Sequence, residues 1–389
     1  MLLTWLNANH PNMDNILLST ILAFAVTFVS IPAIIQVAKS KKLFDEPDER
    51  KVHKIVIPTL GGLGIFAGLI IAILMGAPTQ PGSHLQYFVA ALMVIFFLGL
   101  KDDILILSAS KKFIGQVLAA GILVYFADIR ITSMYGLLGI NELPYLVSIV
   151  LTLFTVVVIT NSFNLIDGVD GLAGSLGLIT SVIFGIYFTM AGEVLYAVMA
   201  FSLAGSLVAF LIYNFHPAQI FMGDTGSLLI GILNAIFVIK FITVASSPLA
   251  AAHVMAAPAM GVAVLIVPLA DTLRVVGLRI INRRSPFSPD RNHIHHFMLE
   301  LGMSHRQITC TCVTVNFLFI ALAYNLRQFG ANWALLAVAS CAVLFMSLVY
   351  YKKTRRSITA TPHTMVKKAI VKSHKILRLT PDKIESEAV

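Results

Sequence analysis

Runs of apolar residues, each close to the length of a bilayer-crossing helix, recur from one end of this chain to the other. A helix needs about 20 such residues to cross the hydrocarbon core of a membrane. Eleven segments qualify, at about 15–37, 60–77, 84–100, 113–127, 143–161, 171–190, 194–213, 226–246, 255–278, 308–326 and 333–351. Only helices and closed barrels satisfy their backbone polar groups inside lipid. No apolar–polar alternation at barrel-strand length competes here. The pattern predicts an all-α polytopic membrane protein with about eleven transmembrane helices. Charged residues make up 12% of the 389, against about 25% in soluble domains.

Lys and Arg set the orientation. Segments 38–59, 101–112, 279–307 and 352–389 hold 6, 3, 5 and 10 of the 28. The alternate loops hold only Arg130 and Arg327. Positive charge stays cytoplasmic, so the N-terminus is predicted outside and the C-terminus in the cytoplasm. The net charge of +9 is then a topology signal. A nucleic-acid partner is not expected, because no basic soluble module is present. The opening residues lack a basic region before the first apolar run, so no cleaved signal peptide is expected. Cys310, Cys312 and Cys341 all fall in apolar spans and read as small buried hydrophobes. With no linker or repeat, the chain reads as one transmembrane domain over 1–351 and a basic cytoplasmic tail over 352–389.

Four polar clusters break this apolar background: Lys101-Asp102-Asp103, Asn164-Leu165-Ile166-Asp167-Gly168-Val169-Asp170, Phe221-Met222-Gly223-Asp224-Thr225-Gly226-Ser227, and Asp290-Arg291-Asn292-His293-Ile294-His295-His296. Under the predicted topology all lie at cytoplasmic span ends. Ionisable groups near a membrane are expensive and gather for a reason. A hard cation with a phosphorylated substrate supplies one. Adjacent Asp102 and Asp103 suit a metal or a general base, or form a solvated helix end. Asn164, Asp167 and Asp170, three apart, are expected on one face of a helical turn. Asp224 sits at a span's N-terminal end, where a carboxylate also suits an N-cap. Asn214 precedes it, and Phe221 offers a ring for stacking or for anchoring at the interface. His293, His295 and His296 stand beside Arg283, Arg284 and Arg291. With no cysteine nearby and oxygen-rich neighbours, magnesium fits better than zinc, and the loop reads as a phosphate binder or a solvated basic loop. Asp271 and Arg274, three apart, form either a pair within their helix or a substrate contact.

These motifs, in this order from about Pro58 to Leu301, resemble the polyprenyl-phosphate N-acetylhexosamine-1-phosphate transferases, the glycosyltransferase 4 family. The His293-Ile294-His295-His296 version of the last motif looks like its WecA/TagO branch. The resemblance implies transfer of a sugar-1-phosphate, most simply GlcNAc-1-phosphate, from a UDP-sugar to undecaprenyl phosphate, with release of UMP. This step would start a cell-envelope polysaccharide such as lipopolysaccharide or cell-wall polymer. It implies magnesium, with manganese as a substitute, held by Asp224 and Asn164. Asp102 and Asp103 would be catalytic, Asp102 as the base or lipid contact and Asp103 beside the metal. Asn164 and Asp167 would line the diphosphate site. Asp170, Asn214 and Phe221 would hold uridine, and Arg291, His293, His295 and His296 the sugar-phosphate. The partners implied are a UDP-N-acetylhexosamine, undecaprenyl phosphate and the bilayer, with a homodimer left open. The location implied is the bacterial cytoplasmic membrane, with the site on its cytoplasmic face.

Two alternatives differ in what they require. A phospho-MurNAc-pentapeptide transferase normally carries three consecutive histidines. A secondary transporter would place its polar groups at the bilayer midplane between two similar halves, whereas here they lie at span ends without a visible repeat.

Overall fold

The computed structural model describes residues 13–41, 57–78, 84–105, 107–247, 252–285 and 292–359. Among them the fold is helical. The helices are α1 (Met13–Lys41), α2 (Gly61–Gly76), α3 (Leu85–Leu105), α4 (Ala109–Tyr125), α5 (Tyr145–Ile166), α6 (Leu172–Ala191) and α7 (Val194–Asn214). They continue with α8 (Gly223–Ala245), α9 (Ala257–Val264), α10 (Ile266–Ile281), α11 (Ile294–Glu300), α12 (His305–Leu326) and α13 (Ala331–Thr359). The extended pairing present is one isolated bridge, Ser133 to Glu142, between α4 and α5. Each apolar segment expected from the sequence is helical. Among the described residues seven helices are long and apolar enough to cross a membrane alone, eight if α9 and α10 form one span; α2 is apolar but shorter. This is a multi-pass membrane protein.

The core forms around α8. Its sequence is apolar on every side, as a helix surrounded by others must be. In its apolar window 78% of residues are buried, against 22% in peripheral α1. Helices α2, α3, α5 and α6 pack against it. Glycines set the spacing, as in membrane helix pairs generally. A Cβ on Gly62 would lie 2.2 Å from the Gly226 nitrogen, and one on Gly99 2.5 Å from Thr225 Cα. Of the cysteines only Cys312 is buried. Cys310 and Cys341 lie exposed on their helices, contrary to the sequence expectation, because each faces away from its packed neighbours.

A proline inside a helix frees the carbonyl four residues earlier, and a break between helices exposes others, which lipid cannot satisfy. Pro32 in α1 frees Phe28, whose oxygen accepts from the Tyr213 hydroxyl at 3.3 Å. The carbonyl of Val264, the last residue of α9, accepts from Asn316 Nδ2 at 3.1 Å, while Pro268 stands in the first turn of α10, where a proline removes no helical bond. At that second site the chain bends by 80° between α9 and α10, so the expected span 255–278 is broken rather than continuous.

Candidate active site

Five helix ends meet around one cavity of about 460 Å³: the C-terminal ends of α3, α5 and α7 and the N-terminal ends of α8 and α12. Asp102, Asp103, Asn164, Asp167, Asp170, Asn214, Phe221 and Asp224 all line it. Sequence positions up to 122 apart thus reach one wall.

Helix α8 has no capping side chain of its own. Asp103 supplies the cap from α3. Its Oδ1 accepts from the Asp224 N–H at 2.7 Å, and its Oδ2 from the Thr225 N–H at 3.1 Å and the Thr225 hydroxyl at 2.5 Å. Orphan N–H groups and the helix dipole make that end a natural carboxylate site. Asp224 is therefore released from capping, and its side chain enters the cavity. Its Oδ1 accepts from Asn164 Nδ2 at 2.9 Å, and its Oδ2 meets Lys112 Nζ at 2.6 Å. Lys112 also contacts Asp102 Oδ2 at 2.5 Å. Asp102 Oδ1 accepts from the Leu107 N–H at 2.5 Å, which fixes the turn leading to α4.

The expectation that Asn164, Asp167 and Asp170 share one helical face is corrected. Helix α5 ends at Ile166, Asp167 is its C-cap, and Asp170 lies in the turn to α6. Gly171 at φ 76° reverses the chain there, where a Cβ would meet the Phe215 ring at 2.9 Å. The three side chains reach the same cavity through this turn instead. Burial first, then the charges of Asp224, Asp103 and Asp170, push the Asp167 carboxyl up to about 7. Burial would also raise Asp170, but hydrogen bonds with His305 and His216 outweigh it and hold its pKa below the usual value. Asn214 is fixed by its Oδ1 accepting from Gly171 N–H and its Nδ2 donating to Ile220 O, at 2.9 and 2.8 Å.

The histidine loop is placed differently from the acids, since His293, His295 and His296 do not line the cavity. His293 Nδ1 meets Asp271 Oδ2 at 2.9 Å, and Asp271 Oδ1 accepts from the Ile294 N–H at 2.9 Å and from Arg274 Nη2 at 2.9 Å. Asp271 and Arg274 thus form their helix pair, and Asp271 also caps α11. His295 is buried behind the acidic turn, where a Cβ on Gly168 would lie 2.2 Å from its Nε2. Burial, then the charge of His296, lowers its pKa to about 3, so it is a neutral imidazole. The His296 ring lies against His295, tilted by 49°, with ring centroids 4.3 Å apart. Arg291 lies outside the described residues, as do the basic segment 42–56 and the tail from residue 360.

Sequence reasoning gave no site role to Lys112, Thr59, His216 or His305. Lys112 looks like one more positive charge on a cytoplasmic loop. His305 follows Ser304 in a capping box with Gln307, a legible helix start, but nothing local says that this start faces a cavity.

The donor set of the acidic wall is all oxygen: Asp102, Asp167 and Asp224, with the Asn164 amide and Ser227 hydroxyl beside them. Several carboxylates face one ammonium. That excess of negative charge and hard donors fits a magnesium-class cation. An all-helical membrane bundle with such a cavity at its helix ends defines the class of the protein. The sequence profile of glycosyl transferase family 4 matches residues 85–242. A probable undecaprenyl-phosphate N-acetylglucosaminyl 1-phosphate transferase of Bacillus subtilis (strain 168) is 31% identical over 87% of this chain and 93% of its own length. A decaprenyl-phosphate N-acetylglucosaminephosphotransferase of Mycobacterium tuberculosis (strain H37Rv) is 37% identical over 73% and 74%. An undecaprenyl-phosphate alpha-N-acetylglucosaminyl 1-phosphate transferase of Yersinia pestis is 29% identical over 83% and 88%. The chain belongs to glycosyl transferase family 4.

Proposed function

We propose that the protein transfers GlcNAc-1-phosphate from UDP-GlcNAc to undecaprenyl phosphate and releases UMP. The observation that carries this reading is the convergence of Asp102, Asn164, Asp167, Asp170, Asn214 and Asp224 on one cavity at the helix ends, in a chain similar over most of its length to transferases of that name.

An oxygen of the lipid phosphate attacks the β-phosphorus, the phosphoanhydride bond breaks, and UMP leaves. Such chemistry is mostly positioning and charge neutralisation. Asp224 and Asp167, with Asn164 beside them, would hold magnesium, which supplies charge stabilisation to the diphosphate and the leaving group when bound. Lys112, pulled between Asp102 and Asp224, is placed to pair with a substrate phosphate. Asp102 is the proton acceptor for the lipid phosphate. Asp103 is a positioning residue, since both its oxygens hold the start of α8. Asp170, Asn214 and Phe221 form the uridine end. Arg291 and His296 would serve the sugar side, with buried His293 and His295 holding their loop against Asp271 and the acidic turn.

Eleven spans, the N-terminus outside, a transferase domain over 1–351 with a basic tail over 352–389, and an active site on the cytoplasmic face of a bacterial cytoplasmic membrane complete the reading. Membranes containing the chain, given radiolabelled UDP-GlcNAc and undecaprenyl phosphate, should form a labelled lipid that EDTA suppresses. No labelled lipid, or equal yield with EDTA, would contradict it. Preference for a pentapeptide-bearing muramyl donor would move the chain to the other branch.

A further inference from the structure

The acidic wall does not use every metal-ligating group in the cavity. Asp170, His216 and His305 converge from three elements: the α5–α6 turn, the connection after α7, and the first turn of α12. One donor atom from each lies within 4.8 Å of the others. His216 Nδ1 is 2.7 Å from Asp170 Oδ2, and His305 Nδ1 is 3.1 Å from Asp170 Oδ1. Tetrahedral zinc, with bonds of about 2.0–2.1 Å, holds its ligand atoms about 3.3 Å apart.

From this geometry we propose a second cation site, formed by Asp170, His216 and His305, that takes a zinc-class transition ion and excludes the uridine nucleotide while occupied. Two imidazoles and one carboxylate are a poor donor set for magnesium and a good one for zinc, cobalt or nickel. The backbones carrying them are already held. Arg306 Nε and Nη2 donate to the His216 carbonyl at 2.9 and 2.7 Å, and the Thr309 hydroxyl donates to the Asp170 carbonyl at 3.1 Å. The Ser304–Gln307 capping box fixes the turn that presents His305. Asp170 and His305 face the cavity, leaving a further coordination position open to solvent, as in sites with three protein ligands. Exclusion of the nucleotide rests on the transferase reading, in which Asp170 belongs to the uridine end: a carboxylate bound to a cation no longer accepts from a base.

The full chain, purified in detergent at neutral pH with saturating magnesium, is titrated with cobalt(II) and followed by its visible d–d absorption. One equivalent should give the intense bands of a four- or five-coordinate ion. His305→Gln and His216→Gln should each weaken binding by about 100-fold or more, since partners that merely orient a metal ligand are worth roughly 10–100-fold. Asp224→Asn should keep the bands. UDP-GlcNAc should bleach them. Absence of the bands, bands lost in Asp224→Asn but kept in both histidine variants, or cobalt and UDP-GlcNAc bound together would each overturn the proposal. UDP-GlcNAc binding measured without cobalt tests the transferase reading separately.

Discussion

Asp224 and Asp103 divide one task. Asp103 spends both oxygens on the N-terminus of α8, so Asp224 at that terminus points into the cavity. Asp224→Asn removes a charged oxygen from the proposed cation site and should cut turnover by about 100-fold or more, the scale of losing one strong electrostatic contact. The purified variant should still elute as a folded monodisperse protein. Activity near wild type at ordinary magnesium would remove Asp224 from that role. Asp103→Ala should lower stability by about 1 kcal/mol, the usual worth of an N-cap, and lower turnover with it. Asp103→Asn keeps an acceptor and should recover most of the stability in thermal unfolding. Equal loss in both would show that charge at the site, not capping, is what Asp103 provides. The motif around Asp224 was legible in the sequence because its residues are contiguous. The cap was not, because donor and acceptor stand 121 residues apart and nothing local links them. The same holds for Asp271, whose bonds to His293 and Ile294 turn a plain helix pair into the anchor of the histidine loop.

Helices in this fold are interrupted where a neighbour can repair the break. Asn316 Nδ2 serves the Val264 carbonyl at the end of α9, as Tyr213 serves the Phe28 carbonyl freed by Pro32. Asn316→Leu should cost about 0.6 kcal/mol, the average for a hydrogen bond between membrane helices, and at most about 1.7 kcal/mol. Pro32→Ala restores an N–H to Phe28 within α1, so its double variant with Tyr213→Phe should lose less than the sum of the singles, a coupling that a double-mutant cycle in thermal unfolding measures. Strict additivity would mean that the Tyr213 hydroxyl does not serve that carbonyl. The helices themselves were legible from apolar length. The break within 255–278 was not, because a proline two residues into a helix marks a start and says nothing of the 80° angle at which the preceding helix meets it.

At the scale of the molecule, the carboxylates sit where helix ends meet, and the positive loops predict which side that is. The assignment used Lys and Arg alone, without the chemistry of the site. A cysteine placed in the 279–307 loop of a variant lacking the three native cysteines should resist a membrane-impermeant thiol reagent in intact cells and react after lysis. Labelling from outside would reverse the topology and separate the site from a cytoplasmic donor. The central claim is narrower: the sugar moves together with its phosphate. UDP-GlcNAc labelled with phosphorus-32 at the β position tests it directly, with undecaprenyl phosphate as acceptor. The label should pass to the lipid and the released nucleotide should be unlabelled UMP. Label remaining on the nucleotide as UDP, with sugar alone on the lipid, would contradict the account.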